Sequence, residues 1–202
     1  MKKYLSIILS LVITFTCSLS ALASSTPNTG PIEPSYSSMQ IVRSSSKVLN
    51  ESESILALME SYNISYEQAY QQYAELRSGF QRLEERHITY DAGMGYLIEV
   101  GCQVKVACGS GHCNFVEVIK EWSEASGSGS YTWNPFYVTV TIEGGIKKDT
   151  LRFQTRGALE VAIDSSMSAG FEAAGFSVSG TIGRTTYFRK VMSINQTKMM
   201  GQ

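Results

Sequence analysis

The sequence predicts an α+β protein, in which an N-terminal helical hairpin packs on an antiparallel β-sheet or sandwich of about six to eight strands. Three observations carry this reading. Residues 96–108, Tyr-Leu-Ile-Glu-Val-Gly-Cys-Gln-Val-Lys-Val-Ala-Cys, place an apolar side chain at every even position. That period of two marks a strand with one face in a core. Two capping boxes, Asn50 with Glu53 and Ser65 with Gln68, mark two helix starts close together. From Tyr131 onward, short alternating stretches are punctuated by glycine, the pattern of an antiparallel sheet.

Taken in order, residues 1–23 combine Lys2 and Lys3, an apolar run from Tyr4 to Phe15, and Ala21-Leu22-Ala23. This reads as a secretory signal peptide cleaved after Ala23. The expected location is therefore outside the cytoplasm, extracellular or periplasmic. Residues 24–46 hold eight serines together with Pro27, Pro31 and Pro34 and show no period, so they read as a flexible linker.

Residues 47–90 read as the helical hairpin. Ile55, Leu58, Met59 and Tyr62 follow the first cap at helical spacing. Behind the second cap, Tyr66, Tyr70, Tyr73, Leu76, Phe80 and Leu83 form one apolar stripe, which extends the second helix from Ser65 to about His87. In that reading Phe80 is a core residue, and His87 sits in the last helical turn, where a cation suits the dipole.

Residues 91–202 read as the antiparallel β domain. The long strand at 96–108 is followed by Gly109-Ser110-Gly111 and a returning strand from Phe115 to Trp122. Phe136, Val138, Val140 and Ile142 alternate with polar residues. Leu151 with Phe153, Leu159 with Val161 and Ile163, and Phe188 with Met192 and Ile194 supply further apolar faces.

The net charge of −1 becomes −3 once the leader's two lysines are gone, and no basic stripe is present. Nucleic acid is excluded as a partner on electrostatic grounds, and anionic membrane is disfavoured. A protein, a glycan or a membrane surface remain as partners.

Three cysteines follow the leader: Cys102, Cys108 and Cys113. Six residues of extended strand put Cys102 about 20 Å from Cys108, far beyond the Cα separation of about 7 Å that a disulfide tolerates. Cys108 and Cys113 can bridge across a hairpin loop, leaving Cys102 as a buried free thiol. A four-residue loop sets Val104 opposite Glu117 and Cys102 opposite Ile119. A three-residue loop instead sets Val104 opposite Val116 and Ile98 opposite Trp122, and a bulge can reconcile the two. Cys108, His112 and Cys113 have the right chemistry for zinc but lack the usual paired spacing, so no metal is expected.

The sequence contains no G-x-S-x-G, H-E-x-x-H, P-loop or dinucleotide fingerprint. Carboxylates such as Glu99 and Glu117 can meet across strands, but no catalytic set forms around them. No cofactor and no enzymatic activity are expected. The function that fits is an exported, non-enzymatic binding or surface-interaction protein. The alternative is a secreted membrane-active toxin of the β-pore type. It rests on residues 165–183, a small-residue stretch whose only charge is Glu172, with Phe171, Phe176, Val178 and Ile182 as membrane-contact candidates.

Overall fold

A computed structural model describes residues 40–167 and 170–201. The expected signal peptide, residues 1–23, and residues 24–39 of the expected linker lie outside the described residues. The elements run in the order β1 (Gln40–Val48), α1 (Glu51–Tyr62), α2 (Tyr66–Ser78), β2 (Gln81–Asp91), β3 (Leu97–Gly109), β4 (His112–Ser126), β5 (Tyr131–Glu143), β6 (Thr150–Asp164), β7 (Ser177–Ile182) and β8 (Thr185–Met199). A short 3-10 turn, Ser165–Met167, follows β6.

Two four-stranded antiparallel sheets result, ordered β1-β2-β3-β4 and β5-β6-β8-β7. They share one core. Ile98, Val100, Cys102, Val104 and Val106 of β3 are fully buried against Phe153, Leu159, Val161, Phe188 and Ile194 of the second sheet. The even positions of β3 thus face the partner sheet, as period-two alternation requires. Tyr96, Phe171, Phe176 and Phe188 close one end of this core, with ring centroids 4.7–6.1 Å apart.

The helices lie on the opposite face of the first sheet. Leu49, Ile55, Ala57, Leu58, Ala69 and Leu83 form a second, smaller core, with Leu76 and Ile119 packed against it. Both capping boxes are formed: Asn50 Oδ1 accepts from Glu53 N at 3.0 Å, and Ser65 Oγ accepts from Gln68 N at 3.3 Å. Asn63 ends α1 in the left-handed region, with φ 51°, a conformation its short polar side chain tolerates.

The structure corrects three expectations. First, the hairpin does not precede the sheet; it interrupts it, between β1 and β2. Residues 40–46 of the expected linker belong to edge strand β1. An edge strand with no buried face needs no apolar period, so its Ser-rich sequence carried no strand signal.

Second, α2 stops at Ser78, and Gly79-Phe80 turns the chain directly into β2. Leu83 is buried on the helix side of the sheet, so a strand residue continued the helical stripe by coincidence of spacing. Phe80 is 80% exposed. Phe80→Ala should therefore change stability by less than about 0.5 kcal/mol in urea unfolding, not the roughly 3–5 kcal/mol expected of a core aromatic.

Third, two bulges separate the loop end of the β3–β4 hairpin from its far end. Cys108 pairs with Cys113, but Val104 pairs with Val118 and Gly101 with Trp122, because Val116 and Ile119 are extra residues in β4. Neither single register read from the sequence holds over the whole hairpin.

One feature inside the sandwich is charged. Glu84 and Arg86, alternate residues of β2, point into the space between the sheets and are almost completely buried. Arg86 Nη2 and Nε donate to Glu84 Oε2 at 2.7 and 2.9 Å, and Arg82 Nε donates to Oε1 at 2.8 Å. The Arg86 guanidinium also lies 5.0 Å from the Phe115 ring centroid. Lys198, equally buried, donates to the Ser45 carbonyl at 2.9 Å. Burial and the Arg86 charge hold its ammonium below the usual lysine range.

Candidate functional site

The helical hairpin covers only part of the outer face of the first sheet. Leu83, Lys105, Glu117 and Ile119 lie at the covered part. Further along the same strands the outer face is open. Strand register sets Ser45, His87, Gly101 and Trp122 side by side across β1 to β4. The neighbouring rows place Glu85 beside Gln103 and Lys120, and Thr89 beside Glu99 and Glu124.

The centre of this face is Trp122. Gly101 has no Cβ, and the indole occupies its place. A Cβ built at Gly101 would stand 2.9 Å from Trp122 Nε1 and nearer still to ring carbons Cε2 and Cζ2. One side of the ring therefore rests on backbone. The ring also borders an open groove of about 400 Å³, lined by Glu85, Glu99, Gln103, Lys120 and Glu124. Trp133 offers a contrast: it lies over Gly157 in the same manner, but on the inner face, where it is buried.

Carboxylates dominate the groove. Trp122 Nε1 donates to Glu99 Oε1 over a long 3.4 Å. His87 stands 3.9 Å from both Glu85 and Glu99, and shares a 2.6 Å hydrogen bond with Ser45 Oγ. Glu124 lies directly across from Glu99 and has no ion-pair partner among the described residues. The one lysine, Lys120, is taken by Glu60 of α1 at 2.7 Å. The groove thus offers an aromatic face and several acceptors with weak or no protein partners.

A second groove, of about 530 Å³, runs between the hairpin and the sheet and contains Tyr62, Lys105 and Glu117. These three satisfy one another. Lys105 Nζ donates to Glu117 Oε2 at 2.7 Å and to Tyr62 Oη at 2.8 Å, and Tyr62 Oη donates to Glu117 Oε1 at 3.0 Å. Burial opposes the Lys105 charge, but the bonds to Glu117 and Tyr62 outweigh it and hold the ammonium above its usual range. This triad reads as a tie between α1 and the sheet, with little capacity left for a ligand.

No family model, curated protein or solved structure matches this chain.

Of the residues singled out from the sequence, His87 and Glu99 lie on this face, and the others fall elsewhere. Cys108 and Cys113 are joined, directly opposite one another, with Cα atoms 4.1 Å apart. With both sulfurs in that bond, His112 alone of the three zinc candidates keeps a free donor, and no group of three metal-ligating side chains occurs among the described residues. His87 is a mid-strand residue of β2 and not the end of a helix. Phe171 and Phe176 are buried in the aromatic end of the core, whereas Val178 and Ile182 are exposed on edge strand β7. Among the described residues of the 165–183 stretch, only 177–182 form a strand.

Cys102 is a free, fully buried thiol, and burial pushes its pKa up to about 12. Of Cys102, Cys108 and Cys113, one should label with an alkylating reagent only after unfolding, and all three after unfolding plus reduction. Mass spectrometry of the labelled protein checks this; rapid labelling of a native thiol contradicts it. Trp122 escaped the sequence reading because its partner is Gly101, and that pairing exists only after both bulges are placed.

Proposed function

We propose that this chain is an exported, non-enzymatic binding protein that holds an organic cation, an ammonium or guanidinium group presented by a partner, on the open face around Trp122. The observation that carries the reading is the indole laid on Gly101 beside Glu85, Glu99 and Glu124. The face of an indole ring attracts cations. Ionised carboxylates accept hydrogen bonds and donate none, so the ligand must bring the donors and the positive charge. A glycine beneath the ring fixes the platform before any ligand arrives, which limits the ordering cost of binding.

Export rests on the leader, residues 1–23, and is supported by the Cys108–Cys113 bond, since disulfides persist in oxidising compartments. A non-enzymatic role is supported by the state of the thiols. Cys113 is bonded, and Cys102 is buried with a raised pKa, the opposite of an activated nucleophile. The β-pore alternative requires Phe171 and Phe176 to leave the aromatic cluster that seals the core, and we do not adopt it.

Titration with spermidine and with a lysine-rich peptide, followed by isothermal titration calorimetry so that Trp122→Ala can be read in the same way, tests the site. Binding should saturate, weaken with salt and fall with Trp122→Ala by about 2 kcal/mol or more. Glu99→Gln with Glu124→Gln should weaken it by a comparable amount, since both acceptor charges are lost. Binding of neutral saccharides in place of cations, or equal affinity in Trp122→Ala, would overturn the assignment.

A further inference from the structure

Two large apolar side chains stand in water at one end of the molecule. Phe80, in the α2–β2 turn, is 80% exposed, and Ile146, in the β5–β6 turn, is completely exposed. Phe80 also has φ +56°, a backbone conformation that glycine adopts freely and a bulky L residue only at a cost. Burial in the fold offsets none of that cost.

The two turns are held close together. Cys108 N donates to the Phe80 carbonyl at 3.1 Å, and Cys108 is bonded to Cys113. Cys113, His112, Ile146 and Lys147 line one groove of about 540 Å³. Phe115 N donates to the Lys148 carbonyl at 2.8 Å, which fixes the β5–β6 turn beside the start of β4.

The charge of this end departs from that of the whole chain. Arg77, in the last turn of α2, and Lys147 and Lys148, in the β5–β6 turn, are exposed. Against them stand Asp149, partly buried and bonded to Thr150 Oγ1, and Glu75 on the last turns of α2. The net negative charge of the protein does not cancel this locally, because screening limits exposed charges to about 10 Å at 0.1 M salt.

We propose that this end is a membrane-contact surface, with Phe80 and Ile146 entering the headgroup boundary and Arg77, Lys147 and Lys148 meeting anionic lipid. Exposed apolar tips flanked by cations match the two attractions of an anionic bilayer, apolar burial and surface potential. The Trp122 face lies farther along the same strands, beyond the helical hairpin, and stays accessible when the tip is engaged. The proposal is independent of what that face binds.

Vesicles of phosphatidylcholine with phosphatidylglycerol, and of phosphatidylcholine alone, provide the test. Wild type and variants share one N-terminus, so residues 1–23, if retained, contribute equally. The emission of F80W should shift further to the blue on the anionic vesicles than that of wild type, which carries only Trp122 and Trp133, and this difference reports the tip. F80S/I146S should lower the partition coefficient at least about tenfold with an unchanged melting temperature, since both side chains are exposed. K147E/K148E should abolish the preference for anionic vesicles. No further blue shift in F80W than in wild type, or undiminished binding by F80S/I146S, overturns the proposal. Concentration-dependent dimerisation that F80S/I146S removes, without vesicle binding, also overturns it and makes the tip a self-association surface.

Discussion

Glu84→Ala should destabilise the folded protein by about 3–5 kcal/mol, read as a lower urea midpoint at unchanged m-value. Glu84 is 2% exposed and is the carboxylate that neutralises Arg86, itself 5% exposed, between the two sheets. Lys198 from the opposite sheet brings a second buried cation nearby, whose charge Arg86 already opposes. Removing the carboxylate leaves the guanidinium buried without its counter-charge, a larger penalty than the net worth of the pair. Replacing both partners, as Glu84→Gln with Arg86→Met, should therefore recover part of the loss. A cost below about 1 kcal/mol for Glu84→Ala would mean that water reaches Arg86, in conflict with its burial.

Phe115→Ala should cost a similar amount, about 3–5 kcal/mol. The ring is fully buried at the start of β4, opposite Val106, where the hairpin meets the inter-sheet core. It also lies beneath the Arg86 guanidinium at 5.0 Å. The effects of Phe115→Ala and Glu84→Ala should consequently couple by at least about 0.5 kcal/mol, as neighbours sharing one partner do. Additivity within error would show that the ring and the ion pair act separately.

What could be read from the sequence follows from where each signal resides. The β3 alternation and the capping boxes are local, and both translate directly into Cα geometry. The end of α2 was hidden because Phe80 and Leu83 satisfy helical spacing, while the residue that stops the helix, Gly79, is a weak breaker on its own. Strand β2 was further disguised by Arg82, Glu84, Glu85 and Arg86, which look like a solvated helix face. In the structure Glu84 and Arg86 neutralise one another inside the sandwich. β1 lacks a buried face and so lacks a period. The Trp122 face depends on strand register, and register depends on bulges at Val116 and Ile119 that no sequence period records.

The central claim is that the open face of the first sheet is where this protein meets its ligand. The chain has two tryptophans, Trp122 on that face and Trp133 in the core. In a ¹⁵N-correlated spectrum of labelled protein, each gives one indole N–H signal, and Trp122→Phe assigns them. Addition of spermidine should move the Trp122 signal progressively and saturably and leave that of Trp133 in place. A Trp122 signal that stays fixed while the protein binds the cation, or binding that persists in Trp122→Ala, would contradict the account.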